Sequence, residues 1–166
     1  MNCVIYTSLS ATILFWIKVI SNMKISLGKG FDSILFGNSE GKITKLLGKP
    51  DKAYEADYER RTLQYNELQI ELTFEPENDS LLGWIEVYNP KAELFGKKII
   101  GSRKKEVLDF ISKHIDEKPE IEDYGSFISV SFDNHWLELQ FRFDRLENLN
   151  FGVLYDNSDT PIGPTT

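Results

Sequence analysis

Three observations predict an α+β fold made of two tandem helix-plus-three-strand units, joined in one antiparallel sheet with both helices on one face. First, the stretch from Ile34 to Gly48 matches the stretch from Lys98 to Ser112 at an offset of 64 residues. Gly37 falls on Gly101, Phe36 on Ile100, Ile43 on Val107, Leu46 on Phe110 and Leu47 on Ile111. Second, each stretch is followed by a run of period-two alternation, Leu68–Phe74 and Leu137–Phe143, as expected of a strand with one buried face. Third, 166 residues suit one domain, and eleven Phe, seven Tyr and three Trp can fill a sizeable core.

The elements follow in order. In each matched stretch the apolar residues recur at i, i+3 and i+4, so each short helix buries one stripe. Ser39 and Ser102 are suitable N-caps. Gly48 and Pro50 stop the first helix, and the second stops near His114, before Pro119. Polar, acidic linkers follow at Lys49–Arg60 and Asp116–Tyr124. Each meander is expected to hold three strands. These are Thr62–Tyr65, Leu68–Phe74 and Leu81–Tyr88 in the first, and Phe127–Phe132, Leu137–Phe143 and Leu149–Tyr155 in the second. The turns are Asn66-Glu67, Asp133-Asn134, Pro76–Asp79 and Asp144–Asn148. The predicted domain is 23–156, with repeats at about 34–90 and 98–156 and a tail of loop composition at 157–166.

Residues 1–22 stand apart, because Lys18 is their only charged residue and Ala11–Ile20 is strongly apolar. Three readings stay open: a weak membrane anchor, an ordered element covering the domain, or an upstream extension of a chain that begins at Met23. The segment has no basic n-region, Cys3 lies too early for a lipoprotein cleavage site, and polar residues dilute the run that a membrane span needs.

Composition excludes several functions. Nineteen Lys and Arg against 26 Asp and Glu give a net charge of −7, which disfavours nucleic acid as the partner. A membrane partner enters only through residues 3–20. One Cys and two His exclude an internal disulfide and a thiolate zinc cluster, and disfavour a multi-histidine metal site. Gly28-Lys29-Gly30 lacks the phosphate-loop spacing. The acidic linker at 116–123 lacks the ordered ligands of a calcium loop and reads as a solvated loop or a docking arm. His114 reads as a helix-terminal residue and His135 as a turn residue. The sequence therefore predicts no catalytic residue, metal or cofactor.

Alternation also predicts what the open sheet face carries. With Leu137, Leu139, Phe141 and Phe143 inward, Trp136, Glu138, Gln140 and Arg142 point outward. The same logic puts Gln69, Glu71, Thr73, Trp84, Glu86 and Tyr88 outward, and Phe127, Ser129 and Ser131 as well. The candidate partner-binding set is Trp84, Glu86, Tyr88, Phe127, Trp136, Glu138 and Arg142, aromatics mixed with polar groups on a rigid platform. Cover by another part of the chain or by a second copy is the competing reading of the same aromatics.

The layout, with Phe36-Gly37-Asn38-Ser39-Glu40-Gly41-Lys42-Ile43 opening the first unit, resembles the beta-lactamase-inhibitor-protein architecture. Used once, the unit is similar to the small outer-membrane assembly lipoproteins. Gly37, Ser39, Ile43, Leu46, Gly48, Pro50 and Asp51 are similar in style to small bacterial toxin-immunity proteins. The resemblance implies a binder that uses its open sheet face and loops. The expected function is that of a non-enzymatic, cytoplasmic protein that docks a protein partner, a basic toxin in its most concrete form. The alternative is an envelope-associated accessory protein held by the N-terminal apolar segment.

Overall fold

The computed structural model of the chain describes residues 23–158 and 160–162. The readings of residues 1–22, including Cys3, fall outside the described residues.

Period-two alternation produces the large sheet. Its eight strands are β4 (Lys52–Ala56), β5 (Arg60–Tyr65), β6 (Ile70–Glu75), β7 (Leu81–Val87), β10 (Glu120–Asp123), β11 (Ile128–Phe132), β12 (Leu137–Arg142) and β13 (Arg145–Gly152). They lie in the order β10-β11-β12-β13-β7-β6-β5-β4, and every neighbouring pair is antiparallel. Two four-stranded meanders thus meet at one central seam, where Val87 faces Leu149 and Ile85 faces Phe151. Ile70, Leu72 and Phe74 alternate with polar residues, as do Leu137, Leu139 and Phe141, and all six are buried.

A second sheet is made of β1 (Lys24–Ser26), β2 (Gly30–Phe31), β3 (Ile34–Leu35), β8 (Glu93–Leu94) and β9 (Lys97–Lys98), in the order β3-β2-β1-β8-β9. Its buried Ile25, Phe31, Ile34 and Leu94 join the same apolar cluster as the inner face of the large sheet. Helices α1 (Glu40–Leu47) and α2 (Lys104–Ile111) add Ile43, Leu47, Val107 and Ile111 to it. The i, i+4 spacing of each pair is why such short helices hold: one stripe is wholly buried, and each large apolar side chain contributes about 1.5–3 kcal/mol. Ser39 caps α1 by accepting from Lys42 N–H, and Gly48 ends it. Phe36 meets Phe151 edge-on, with ring centroids 5.6 Å apart, and so ties the approach to α1 to the central seam.

One hydrogen-bond pattern occurs twice. Gly37 N–H donates to Leu82 O and Leu82 N–H to Asn38 O, while Gly101 N–H donates to Leu146 O and Leu146 N–H to Ser102 O. Isolated bridges join Ser39 to Leu81 and Arg103 to Arg145. Every one of these residues has its counterpart 64 positions on.

The expected fold class is corrected by this arrangement. Strands dominate, the two α-helices among the described residues are eight residues each, and there are two sheets, of five and eight strands. The chain is therefore not two tandem helix-plus-three-strand units of α+β class. The acidic linkers, read as loops, contain β4 and β10 at the two edges of the large sheet. All four residues of β10 are exposed. An edge strand wet on both sides carries no hydrophobic alternation, and its charges guard the edge against pairing with another chain. The strands of the small sheet are two or three residues long, too short to show a period. Strand β13 begins at Arg145, four residues before its expected start, because Phe143 and Asp144 alone make the turn; both have positive φ, at 49° and 62°. The N-cap of α2 is Arg103 rather than Ser102. Within the tail, Tyr155 bridges Pro161 and Ile162 N–H donates back to Leu154 O.

Candidate functional site

The inner face of the large sheet is covered by the helices and the small sheet, so the outer face is where chemistry can be displayed. The seam strands place Glu86 and Tyr88 beside Asn148 and Asn150. Strand β6 adds Glu71 and Thr73, β12 adds Glu138 and Gln140, and β11 adds Ser129. Tyr88 OH donates to Glu86 at 2.6 Å, and Asn148 Nδ2 donates to the same carboxylate oxygen. Glu138 accepts from Ser129 at 2.7 Å, Gln140 at 3.0 Å and Asn150 at 3.3 Å. Asn148 Nδ2 also reaches Asn150 Oδ1 at 3.5 Å. The two carboxylates are therefore linked across the seam through two amides. On the other flank Tyr54 OH donates to Glu71 at 2.6 Å, and the Thr62 and Thr73 hydroxyls meet at 3.0 Å.

Every donor to Glu71, Glu86 and Glu138 here is neutral. The ion pairs among the described residues join Arg60 to Glu77, Arg61 to Glu40, Lys105 to Asp109, His135 to Glu117 and Arg142 to Glu147. None reaches these three carboxylates. Burial pushes the Glu86 carboxyl above its ordinary range; Tyr88 and Asn148 oppose the shift, while Glu71 and Glu138 add to it as like charges. Burial and the Glu71 carboxylate push the Tyr54 hydroxyl up to about 12, and burial and Glu86 push Tyr88 up as well. Asn148 is 1% exposed and its Oδ1 has no partner. The centre of the face thus holds more acceptors than donors.

An aromatic wall stands beside this network. Trp84 and Trp136 meet edge-on at 6.4 Å, and Tyr155 packs on Trp136 at 5.4 Å. Gly152 lies beneath both indoles, where a Cβ would come within 2.8 Å of Trp84 and 3.0 Å of Trp136. Trp136 adopts φ 45° at the end of the turn Asp133–His135, and remains 43% exposed. A groove of about 510 Å³ opens on one side of the wall, lined by Tyr54, Tyr58, Glu71, Glu75, Trp84 and Glu86 among others. A hollow of about 270 Å³ lies on the other side, between Trp84, Trp136, Asp133 and Glu138. Glu75 is buried at the groove's end, over Gly83, where any side chain would collide with its carboxylate. Burial raises its pKa against the opposing influence of Arg60 and the Tyr155 hydroxyl, 3.2 Å away.

Of the residues singled out in the sequence, the structure brings Trp84, Glu86, Tyr88, Trp136 and Glu138 onto this face around one network and wall. Phe127 instead stacks on Tyr124 at 4.9 Å, and Arg142 pairs with Glu147 at 3.2 Å beside the β12–β13 turn. Asn148 lies before the expected start of its strand at Leu149, and Asn150, inside the expected strand, is not among the residues that the sequence analysis assigns to the outer face. Tyr54 went unnoticed because its strand was read as a loop. The histidines take no part: His114 stacks on Phe95 at 4.6 Å, and His135 lies 2.7 Å from Glu117. Among the described residues no group of three His, Cys, Asp or Glu converges as a metal site. No helix among them is long and apolar enough to cross a membrane.

No family model matches the chain, and no curated protein matches it. Among solved structures it is similar to an extracellular protein containing a SCP domain from Bacillus anthracis str. Ames, with 14% identity and a TM-score of 0.51. That match covers 74% of this chain and 47% of the other, so the chain spans about half the length of that protein. It is also similar to a DUF4309 family protein from Bacillus subtilis subsp. subtilis str. 168, with 13% identity and a TM-score of 0.44, covering 76% and 88% of the two chains. At such identity the first likeness concerns the fold alone.

Proposed function

We propose that this chain is a non-catalytic protein-binding module whose open sheet face receives a basic segment of its partner. The observation that supports this reading is the set of three carboxylates, Glu71, Glu86 and Glu138, held by neutral donors alone. Glu86 in particular is partly withdrawn from water, which is costly for a carboxylate without a cation. A Lys or Arg from outside would offset that cost and strengthen the interaction. The Trp84–Trp136 wall supplies flat apolar area for the stem of such a side chain, and its ring faces attract cations. The net charge of −7 accelerates association with a basic protein. In its most concrete form the module is a cytoplasmic inhibitor of immunity type, blocking a basic toxin.

The test is affinity capture from the source organism with the full chain and with an E86Q/E138Q variant, read by quantitative mass spectrometry. The expected result is one basic protein retained by the native chain, released by salt and lost from the variant. Equal retention by both chains refutes the reading.

A further inference from the structure

The repeated hydrogen-bond pattern supplies an internal control for one corner of the molecule. In the first half, the N-cap of α1 is Ser39, and the turn between β6 and β7 holds Asp79 and Ser80 at φ 51° and 54°. These are residues suited to their places: Ser caps a helix, and Asp tolerates the left-handed region. In the second half, 64 positions on, the same places hold Arg103, Phe143 and Asp144. Arg103 makes no side-chain cap. Phe143 sits at φ 49°, a conformation poorly suited to a bulky side chain, and is 93% exposed. Both misfit residues belong to one corner, because Arg103 bridges Arg145 and Lys104 N–H donates to Asp144 O.

Local stability is thus given up twice at one spot, and what stands there is an exposed apolar ring on segments rich in cations, of which Arg145 donates to Gly101 O. Residues 101–105 and 142–145 carry Arg103, Lys104, Lys105, Arg142 and Arg145, with Asp144 among them and Glu106, Asp109 and Glu147 just beyond. The matching positions of the first half carry no cation at all. Lys105 and Arg142 pair with Asp109 and Glu147, but these are exposed contacts that exchange easily. In a chain of net charge −7 these two segments still lean basic, and neither Arg103 nor Lys104 has an ion-pair partner within 4.0 Å among the described residues.

We propose that this corner docks on an anionic lipid bilayer, with the Phe143 ring in the acyl boundary and the surrounding cations at headgroup level. The charge fits such a surface, and Arg and Lys stems can lie along the interface while their heads stay wet. A lone ring at a convex turn needs no matched pocket in a fluid surface, whereas a protein partner would have to supply one. One ring and a few cations give weak, salt-sensitive attachment. This surface is separate from the open face and does not rest on its reading.

The experiment is co-sedimentation of the full chain with vesicles of phosphatidylglycerol and phosphatidylcholine in equal parts, and with phosphatidylcholine alone. Two variants put back the first-half residues, F143D and R103S, and both keep the apolar run at residues 11–20. The expected result is partition onto the anionic vesicles that weakens with salt. F143D loses it by about 10-fold or more, and R103S by severalfold. Both variants melt at a higher temperature than the native chain, so the loss is not unfolding. Absence of the native chain from anionic vesicles at low salt overturns the proposal. So does partition onto both vesicles that neither variant alters, and so does loss in F143D of an acidic protein partner while vesicle partition is unchanged.

Discussion

The inner and outer faces of the eight-stranded sheet come from the same alternating residues, yet they follow opposite rules. On the inner face Leu72, Ile85, Leu139 and Leu149 are wholly buried and apolar. On the outer face Asn148 and Asn150 are nearly as buried, but among carboxylates. The inner face lowers the free energy of the fold. The outer face holds a surplus of acceptors, and Asn148 Oδ1 has no partner. The contrast separates the residues that make the fold from those on which the proposed binding rests.

The sharpest way to break this comparison is at adjacent residues of β13. Phe151→Ala removes an inward ring that packs on Phe36, and should cost about 3–5 kcal/mol in urea unfolding. Gly152→Val, one residue on and facing outward, forces Trp84 and Trp136 apart. It should cost about 1–3 kcal/mol, with loss of the near-ultraviolet dichroism of the indole pair. Equal costs would mean that the outer wall is core in all but name.

Glu86→Gln sharpens the contrast further, because it should stabilise the protein. The folded chain holds a proton on Glu86 more tightly than the unfolded chain does. Stability from this group is therefore greatest below the ordinary carboxylate range and falls as pH rises through the raised folded-state value. Glutamine removes the charge, so the melting temperature at neutral pH should rise by about 2–4 °C. Its decline with rising pH should flatten, while capture of a basic partner is lost. The smallest effect belongs to Thr73→Val, which breaks only the Thr62 hydroxyl contact and should change stability by about 0.5 kcal/mol, measurable as a shift of the urea midpoint.

Legibility in the sequence followed burial. The inner strands were visible because one dry face imposes a period of two, and that same period placed Trp84, Glu86, Tyr88, Trp136 and Glu138 outward. The short helices were visible through Ile43 and Leu47, and Val107 and Ile111. What alternation could not reveal was any strand without a dry face. That hides β4 and β10, while the strands of the small sheet have buried residues but are too short to show a period, and without these strands the fold class cannot be read from the sequence. The network at the centre is half visible, since it needs Asn148 opposite Gln140 on β12, a register set by the β12–β13 turn together with a bulge that skips Glu147 between the Phe141–Leu146 and Gln140–Asn148 pairs. That turn is hard to read because Phe143 stands where Asn, Asp or Gly is usual.

The strand order also bears on how the chain finds its fold. Within each meander, every pairing joins strands adjacent along the chain, so β4–β7 and β10–β13 can each zip up from short turns. In the large sheet only the seam joins distant segments, with Val87 facing Leu149, 62 positions on. Closing that loop has the larger entropic cost. The acceptor-rich network straddles the same seam, through Glu86 and Asn148, so the surface assembles only when the slowest contact of the large sheet has formed.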